Sequence, residues 1–151
     1  MVVGEGLWIQ AAHFAGVQDA LLSLLQDPAC LAPPHTPAYS MVSYAWGQKY
    51  QQSNQWAIET LAAAMEPATI RTREQAQAWL RFKGYEPTTL RLGPLTRLGG
   101  RVGSANIAFD DHPSDKRYSD RIETVTVDSV LAWMQRTQLA AAPFTVLYQK
   151  Q

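Results

Sequence analysis

Ser53 is the residue of this chain whose type and position point most directly to chemistry. It lies in YQQSNQW, residues 50–56, where a polar stretch runs into a helical pattern. The first turn of a helix carries backbone N–H groups without intrahelical partners and the positive end of the helix dipole. A nucleophilic hydroxyl here would find an oxyanion hole in the backbone N–H groups of Asn54 or Gln55. Serine is equally a favoured N-cap, so a nucleophile and a plain helix cap both remain open.

The segment FDDHPSD supplies the second group of candidates, because it places Asp110, Asp111, His112 and Asp115 within six positions. A carboxylate beside an imidazole fixes its tautomer and raises its basicity, as a general base requires. Asp111 and His112 are therefore candidate catalytic partners of Ser53. The same residues also suit a structural Asx-type turn with Pro113 at its corner. Their spacing matches no strong metal-ligand pattern, so we predict no metal site.

The other histidines and the cysteine carry weaker signals. His35 sits in a segment with four prolines between residues 28 and 37, which predicts a solvated position in a stiff surface loop. His13 is interpreted as the boundary of a helix. Cys30 is the one cysteine, which excludes an intramolecular disulfide and any multi-cysteine metal site.

Aromatic residues surround Ser53 in the sequence, from Tyr44 to Trp56. Such side chains either line a groove or form part of a core. For a groove, the candidate binding residues are Trp46, Tyr50, Asn54, Gln55 and Trp56.

The composition is that of an ordinary globular protein, with 151 residues, 46% of them hydrophobic and 17% charged. A formal net charge of zero argues against nucleic-acid binding through bulk electrostatics. No apolar run reaches the roughly 18 to 20 residues of a membrane span. No motif indicates a cofactor. The N-terminal MVVGEGLWIQ lacks the features of a signal peptide and reads as a strand.

Hydrophobic periodicity predicts four helices. They cover Phe14–Gln26, Asn54–Met65, a segment from Thr72 to Gly84, and SVLAWMQRT after a capping Asp128. Thr72 and Gln75 match a capping box, and Gly84 suits a left-handed helix end. The expected buried stripe of the second helix consists of Ala57, Ile58, Leu61, Ala64 and Met65.

Extended segments are predicted at both ends and between the helices: Val2–Gln10, AYSMVSYAW, the run beginning ANIAF, RIETVTV and FTVLYQ. The elements lack a strict βαβ rhythm. We therefore expect a single α+β domain over residues 1–151, with a small mixed or antiparallel sheet packed with three to four helices.

Three segments resemble, in the right order, a bacterial family known as domain of unknown function 2145. They are the SNQW helix start, the TREQAQAWL…GYEP helix and the FDDHP…DRIETVTV segment, and the resemblance spans Tyr39 to Trp133. Many relatives place a cysteine where this chain has Ser53. The resemblance implies a papain-like or NlpC/P60-like hydrolase fold, in which the helix start would stabilise a thiolate. It also implies an exported or periplasmic protein.

The chain departs from that pattern in two ways. Serine replaces the cysteine, and the histidine segment associated with the family, similar to SHAGV, is missing upstream. His13 in HFAGV looks similar but lies only 40 residues before Ser53. The chain is therefore expected to be either the C-terminal part of a longer family domain or a member without that chemistry.

Three hypotheses follow. The first is an amide or thioester hydrolase with Ser53 as nucleophile and either His112 or a histidine outside this chain as base. The second is an inactive relative that binds a peptide, lipid or protein partner in the same groove. The third is self-association, or assembly with another chain, through an exposed edge strand.

Overall fold

The computed structural model describes residues 3–8, 15–31, 35–93, 106–140 and 144–149. Over these ranges, short antiparallel strands are interspersed with helices. The elements in chain order are β1 (Val3–Trp8), α1 (Ala15–Gln26), α2 (Pro28–Leu31), α3 (Ser53–Met65), α4 (Arg73–Phe82), β2 (Thr88–Arg91), α5 (Ser114–Tyr118), β3 (Arg121–Thr124), α6 (Val127–Arg136) and β4 (Phe144–Gln149). The predicted α+β class is confirmed.

The strands form two antiparallel ribbons within the described residues. β1 pairs with β4, so that Val3 lies opposite Gln149 and Trp8 opposite Phe144. β2 pairs with β3 between Thr88 and Arg91 on one side and Thr124 and Arg121 on the other. The first and last predicted strands are therefore confirmed, while RIETVTV forms a strand only in its first four residues.

The predicted strand AYSMVSYAW is wrong, because this segment folds into consecutive turns. The Ser43 N–H donates to the Ser40 carbonyl at 3.0 Å, and the Gly47 N–H donates to the Tyr44 carbonyl at 2.9 Å. The Ser40 hydroxyl donates to the Ala108 carbonyl at 3.0 Å. Serine hydroxyls that find tertiary partners override the β propensity of their neighbours. The strand predicted at ANIAF is likewise absent from the described part, residues 106–109.

Helix ends follow local chemistry closely. Thr72 and Gln75 form the predicted capping box of α4, and Gly84 has the predicted left-handed φ of 72°. The cap of α6 is Thr126, which forms a second capping box with Ser129; the prediction of Asp128 is wrong. Asp128 instead lies in the first turn of α6, where its charge suits the helix dipole.

The aromatic core joins the end of α4 to α6. Trp133 is 1% exposed, and its indole N–H donates to the Lys83 carbonyl at 3.1 Å. The Tyr85 ring packs edge-on against Trp133 with centroids 6.2 Å apart, and its hydroxyl lies 2.8 Å from the Ser129 hydroxyl. Burial raises the pKa of Tyr85 to about 12, although the Ser129 hydrogen bond opposes the shift.

A buried ion pair joins α3 to α4. Arg73 Nε lies 2.8 Å from Glu59 Oε2, and the two side chains are 4% and 1% exposed. The amides of Gln77 and Gln51 each donate to Glu59 at 2.7 Å. Burial raises the pKa of the Glu59 carboxyl, while the Arg73 guanidinium and both amides favour its charged form. Because a buried charge is costly unless paired and hydrogen-bonded, this pair needs all of its partners.

The remaining Arg73 N–H groups hold two loop segments. They donate to the carbonyls of Gly47, Gln48 and Tyr50 at 3.1 to 3.2 Å, and to the Thr36 hydroxyl at 2.8 Å. One guanidinium therefore anchors both the segment 47–50 that precedes α3 and the loop at residue 36. The apolar stripe predicted for α3 is confirmed only in part. Ile58 and Ala64 are buried as expected, Leu61 and Met65 are half-buried, and Ala57 is exposed.

Removing the Tyr85 hydroxyl is expected to flatten the alkaline part of the stability profile. The folded-state pKa of Tyr85 lies above its ordinary value of 10.0. Its neutral phenol therefore stabilises the fold below pH 10, and this contribution is lost as the pH rises towards 12. Between these limits, wild type should lose roughly 2 to 3 kcal/mol more free energy of unfolding than Tyr85→Phe. Tyr118→Phe, at an exposed ring, is the control and should keep the wild-type slope.

Replacing Arg73 by methionine is expected to lower the free energy of unfolding by about 3 to 5 kcal/mol, because Glu59 would stay buried without its counter-ion. Denaturant titration measures the loss. Arg71→Met, at an exposed arginine two positions earlier, should stay within about 0.5 kcal/mol of wild type. A loss below about 1 kcal/mol for Arg73→Met would contradict the anchoring role.

Candidate functional site

A solvent-open cleft of about 720 Å³ lies at the start of α3. Its size is in the usual range for small-molecule or peptide side-chain sites. Its walls combine two aromatic rings, two prolines, one threonine, one histidine, one serine and two glutamines. The lining residues are Pro28, His35, Thr36, Pro37, Tyr39, Gln51, Gln52, Ser53 and Trp56.

Ser53 is the first residue of α3 and is exposed in this cleft. The prediction that it caps the helix is wrong, because Gln52 occupies the N-cap position with an extended backbone and makes no side-chain cap hydrogen bond. The Gln52 amide donates instead to the Thr124 hydroxyl at 2.9 Å and the Val125 carbonyl at 2.6 Å. These bonds tie the helix start to the end of β3. The Ser53 hydroxyl thus sits beside helix N–H groups that no N-cap side chain covers.

His35 lines the same cleft, which the sequence did not predict. His35 is an exposed residue of the loop that follows α2. The next N–H along the chain, that of Thr36, donates to Gln51 Oε1 at 2.8 Å, and the Gln51 N–H donates to the Ala38 carbonyl at 2.9 Å. The loop is therefore held against the residues that lead into Ser53. Gln51, the partner of Thr36, lies 15 positions later in the sequence. No local pattern therefore predicts this contact.

Asp111 and His112 are brought together, but away from the cleft walls. Asp111 Oδ1 lies 3.0 Å from His112 Nδ1, and Asp111 Oδ2 accepts from the Tyr44 N–H at 2.7 Å. Both side chains are almost completely buried. The Tyr44 ring lies 5.2 Å from the imidazole, and His112 Nε2 has no hydrogen-bond partner among the described residues. Neither Asp111 nor His112 lines the Ser53 cleft.

Gly47 lies close to both Asp111 and Tyr44. A Cβ at position 47 would lie 3.3 Å from Asp111 Oδ2 and equally close to Tyr44 Cβ. Such contacts are tighter than side chains normally make, so a Cβ here would make Asp111 or Tyr44 shift by a few tenths of an ångström. Through its bond with the Tyr44 N–H, Asp111 fastens the turn at 44–47 to the segment that leads into α5. The Asx-type turn at Pro113 stays a prediction.

Two of the predicted binding residues use their side chains inside the protein. Gln55 is fully buried, accepts from the Ser43 hydroxyl at 2.8 Å and donates to the carbonyls of Tyr44 and Ala45. Asn54 is half-buried and donates to Gln52 Oε1 at 3.3 Å. Their backbone N–H groups in the first turn of α3 remain the predicted oxyanion donors.

The predicted aromatic residues separate into two groups. Trp56 lines the cleft, together with Tyr39, which the sequence did not single out. Trp46 packs against the core: its ring lies edge-on to Tyr85 at 5.9 Å and beneath the Arg81 guanidinium at 4.3 Å. Tyr50 is half-buried with Lys49 Nζ 5.2 Å from its ring, and it is not a wall of the cleft.

The described ranges contain neither a cluster of metal-ligand side chains nor a membrane-spanning helix. No three His, Cys, Asp or Glu side chains there converge as metal ligands. No helix in that part of the chain has the length and apolar character needed to cross a membrane. His13 lies outside the described residues.

Asp111→Ala is expected to lower the free energy of unfolding by about 2 to 3 kcal/mol, because the buried Tyr44 N–H and His112 Nδ1 would both lose their partner. Its neighbour provides a matched control. Asp110 is exposed and pairs with Lys49, whose hydrogen bond lowers the pKa of the Asp110 carboxyl. Asp110→Ala should therefore unfold close to wild type. Equal losses for the two variants would contradict a structural role for Asp111.

A family comparison covers both the cleft and the Asp111–His112 pair. The family model for DUF2145, described as an uncharacterized protein conserved in bacteria, matches residues 8–134. No curated protein and no solved structure gives a significant match. The relationship to papain-like and NlpC/P60-like proteins therefore stays a prediction. The matched range is well over half of the chain and contains all the cleft-lining residues, and the chain belongs to the DUF2145 family.

Proposed function

We propose that this protein is an amide or thioester hydrolase of papain-like or NlpC/P60-like type with Ser53 as its nucleophile. The observation that carries the proposal is the position of Ser53, exposed in a cleft as the first residue of a 13-residue helix. Backbone N–H groups of the first helical turn would stabilise the negative charge that develops on a substrate carbonyl oxygen bound beside Ser53.

The reaction transfers the acyl group twice, first to Ser53 and then to water. The Ser53 oxygen would form a bond to the carbonyl carbon and lose its proton to a base, and the amine or thiol would leave with that proton. Water would then cleave the acyl-serine ester and release the acid. The N–H groups of Asn54 and Gln55 are the proposed oxyanion donors. A serine hydroxyl is a weaker nucleophile than the cysteine thiol of relatives, so the site depends on a base.

A second candidate function is peptide binding without catalysis. It is favoured by the burial of Asp111 and His112, which leaves the predicted catalytic pair outside the cleft. The cleft walls include Tyr39, Trp56 and Pro37. Tyrosine and tryptophan are among the residues that contribute most binding energy at such interfaces, and aromatic-lined grooves bind extended peptides.

A fluorophosphonate probe is expected to label Ser53, because an activated serine oxygen bonds to the phosphorus of such a reagent and displaces fluoride. Mass spectrometry of the labelled peptide checks the site, and Ser53→Ala should abolish labelling. Ser114→Ala is the matched control, since Ser114 is also an exposed serine that begins a helix. It should label as wild type does.

Hydrolysis of a panel of acyl-amide and acyl-thioester substrates completes the test. Absence of both labelling and Ser53-dependent turnover would contradict the hydrolase. If peptides from a display library then bind wild type and lose affinity with Trp56→Ala, the binding module replaces it.

A further inference from the structure

We infer that His35 is the acid–base partner of position 53, in place of His112. The inference rests on the proposed hydrolase site and names the group that would move its proton. Of the two histidines in the described part of the chain, His35 is the one that lines the cleft with Ser53. His112 is 4% exposed and its Nδ1 is taken by Asp111.

The backbone beside His35 is fixed by the buried polar network. The Thr36 N–H is bound by Gln51 Oε1, and the Thr36 hydroxyl accepts from Arg73 at 2.8 Å. Gln51 in turn donates to Glu59, the buried partner of Arg73. Thr36, which follows His35, and Gln51, two positions before Ser53, therefore belong to one hydrogen-bonded unit. This arrangement fixes the backbone next to His35 beside the cleft, and His35 itself stays exposed there.

The proton path in the reaction is short and balanced. The imidazole of His35 takes the Ser53 hydroxyl proton as the oxygen bonds to the acyl carbon, and it returns that proton to the departing amine or thiol. In the second half it takes a proton from water, whose oxygen attacks the ester, and returns it to the Ser53 oxygen. His35 can therefore act as base in both the acylation and the deacylation of Ser53, because the imidazole is neutral again at the end of each reaction.

The test uses an introduced thiol as a reporter of the local imidazole. In a Cys30→Ser background, which removes the natural cysteine, Ser53→Cys is alkylated with iodoacetamide between pH 4 and 10. The rate profile gives the thiol pKa, and a nearby imidazolium lowers it below the ordinary value of about 8.5. Adding His35→Gln should raise that pKa by about one unit or more and slow alkylation near pH 6 roughly tenfold per unit.

Comparing the thiol pKa with and without His35→Gln separates the effect of the imidazole from the effect of the helix start. The start of α3 acts on the thiol in both variants, so the difference between them belongs to His35. Lys49→Gln removes an exposed cation that does not line the cleft and should leave the profile unchanged. Circular dichroism confirms that each variant is folded.

The inference is overturned if His35→Gln leaves the thiol pKa where it was, or if His112→Gln in the same background raises it instead. Neither result depends on turnover. A lowered pKa that requires His35 supports the pair even if no acyl substrate is hydrolysed, whereas labelling of Ser53 without any effect of His35 would keep the hydrolase and reject this base.

Discussion

The Glu59 carboxylate must be neutralised inside the protein, and the arrangement of the surrounding loops follows from that need. Arg73 supplies the charge, and Gln51 and Gln77 supply further donors to the same two oxygens. A guanidinium has more N–H groups than one carboxylate can use, and the remainder bind loop carbonyls. The segment before α3 can thus stay irregular and yet be fixed in place, because its backbone acceptors are satisfied by one buried cation.

The candidate site lies at the edge of this network rather than inside it. Gln51 and Gln52 face the cleft, but their amides serve Glu59 and the end of β3. The groups that remain accessible are the Ser53 hydroxyl, the His35 ring and the aromatic walls. A site of this kind separates two tasks: buried amides and charges set the geometry, and a few exposed side chains remain for a ligand.

Patterns confined to a few neighbouring residues were predictable from the sequence. The Thr72 capping box and the left-handed Gly84 are local events, and both are confirmed. The turns at residues 40–47 were missed because Ser40 and Ser43 bond to groups 68 and 12 positions away. Glu59 was missed for a related reason: a glutamate within an alanine-rich helix reads as solvent-facing until its arginine, 14 positions later, is in place. The place of His35 at the cleft likewise depends on Gln51 and Arg73, which no local pattern reveals.

Gly47 is the point at which the two buried polar groups meet. Its carbonyl accepts from Arg73 and Gln77, while its Cα faces Asp111 and Tyr44. A methyl group there would lie closer to Asp111 and Tyr44 than side chains normally do, so these neighbours would have to shift by a few tenths of an ångström. The turn at residues 44–47 therefore connects the Glu59–Arg73 network to the Asp111–His112 pair. A side chain introduced at position 47 would therefore act on both groups at once, and its effect on stability depends on how far Asp111 and Tyr44 can shift.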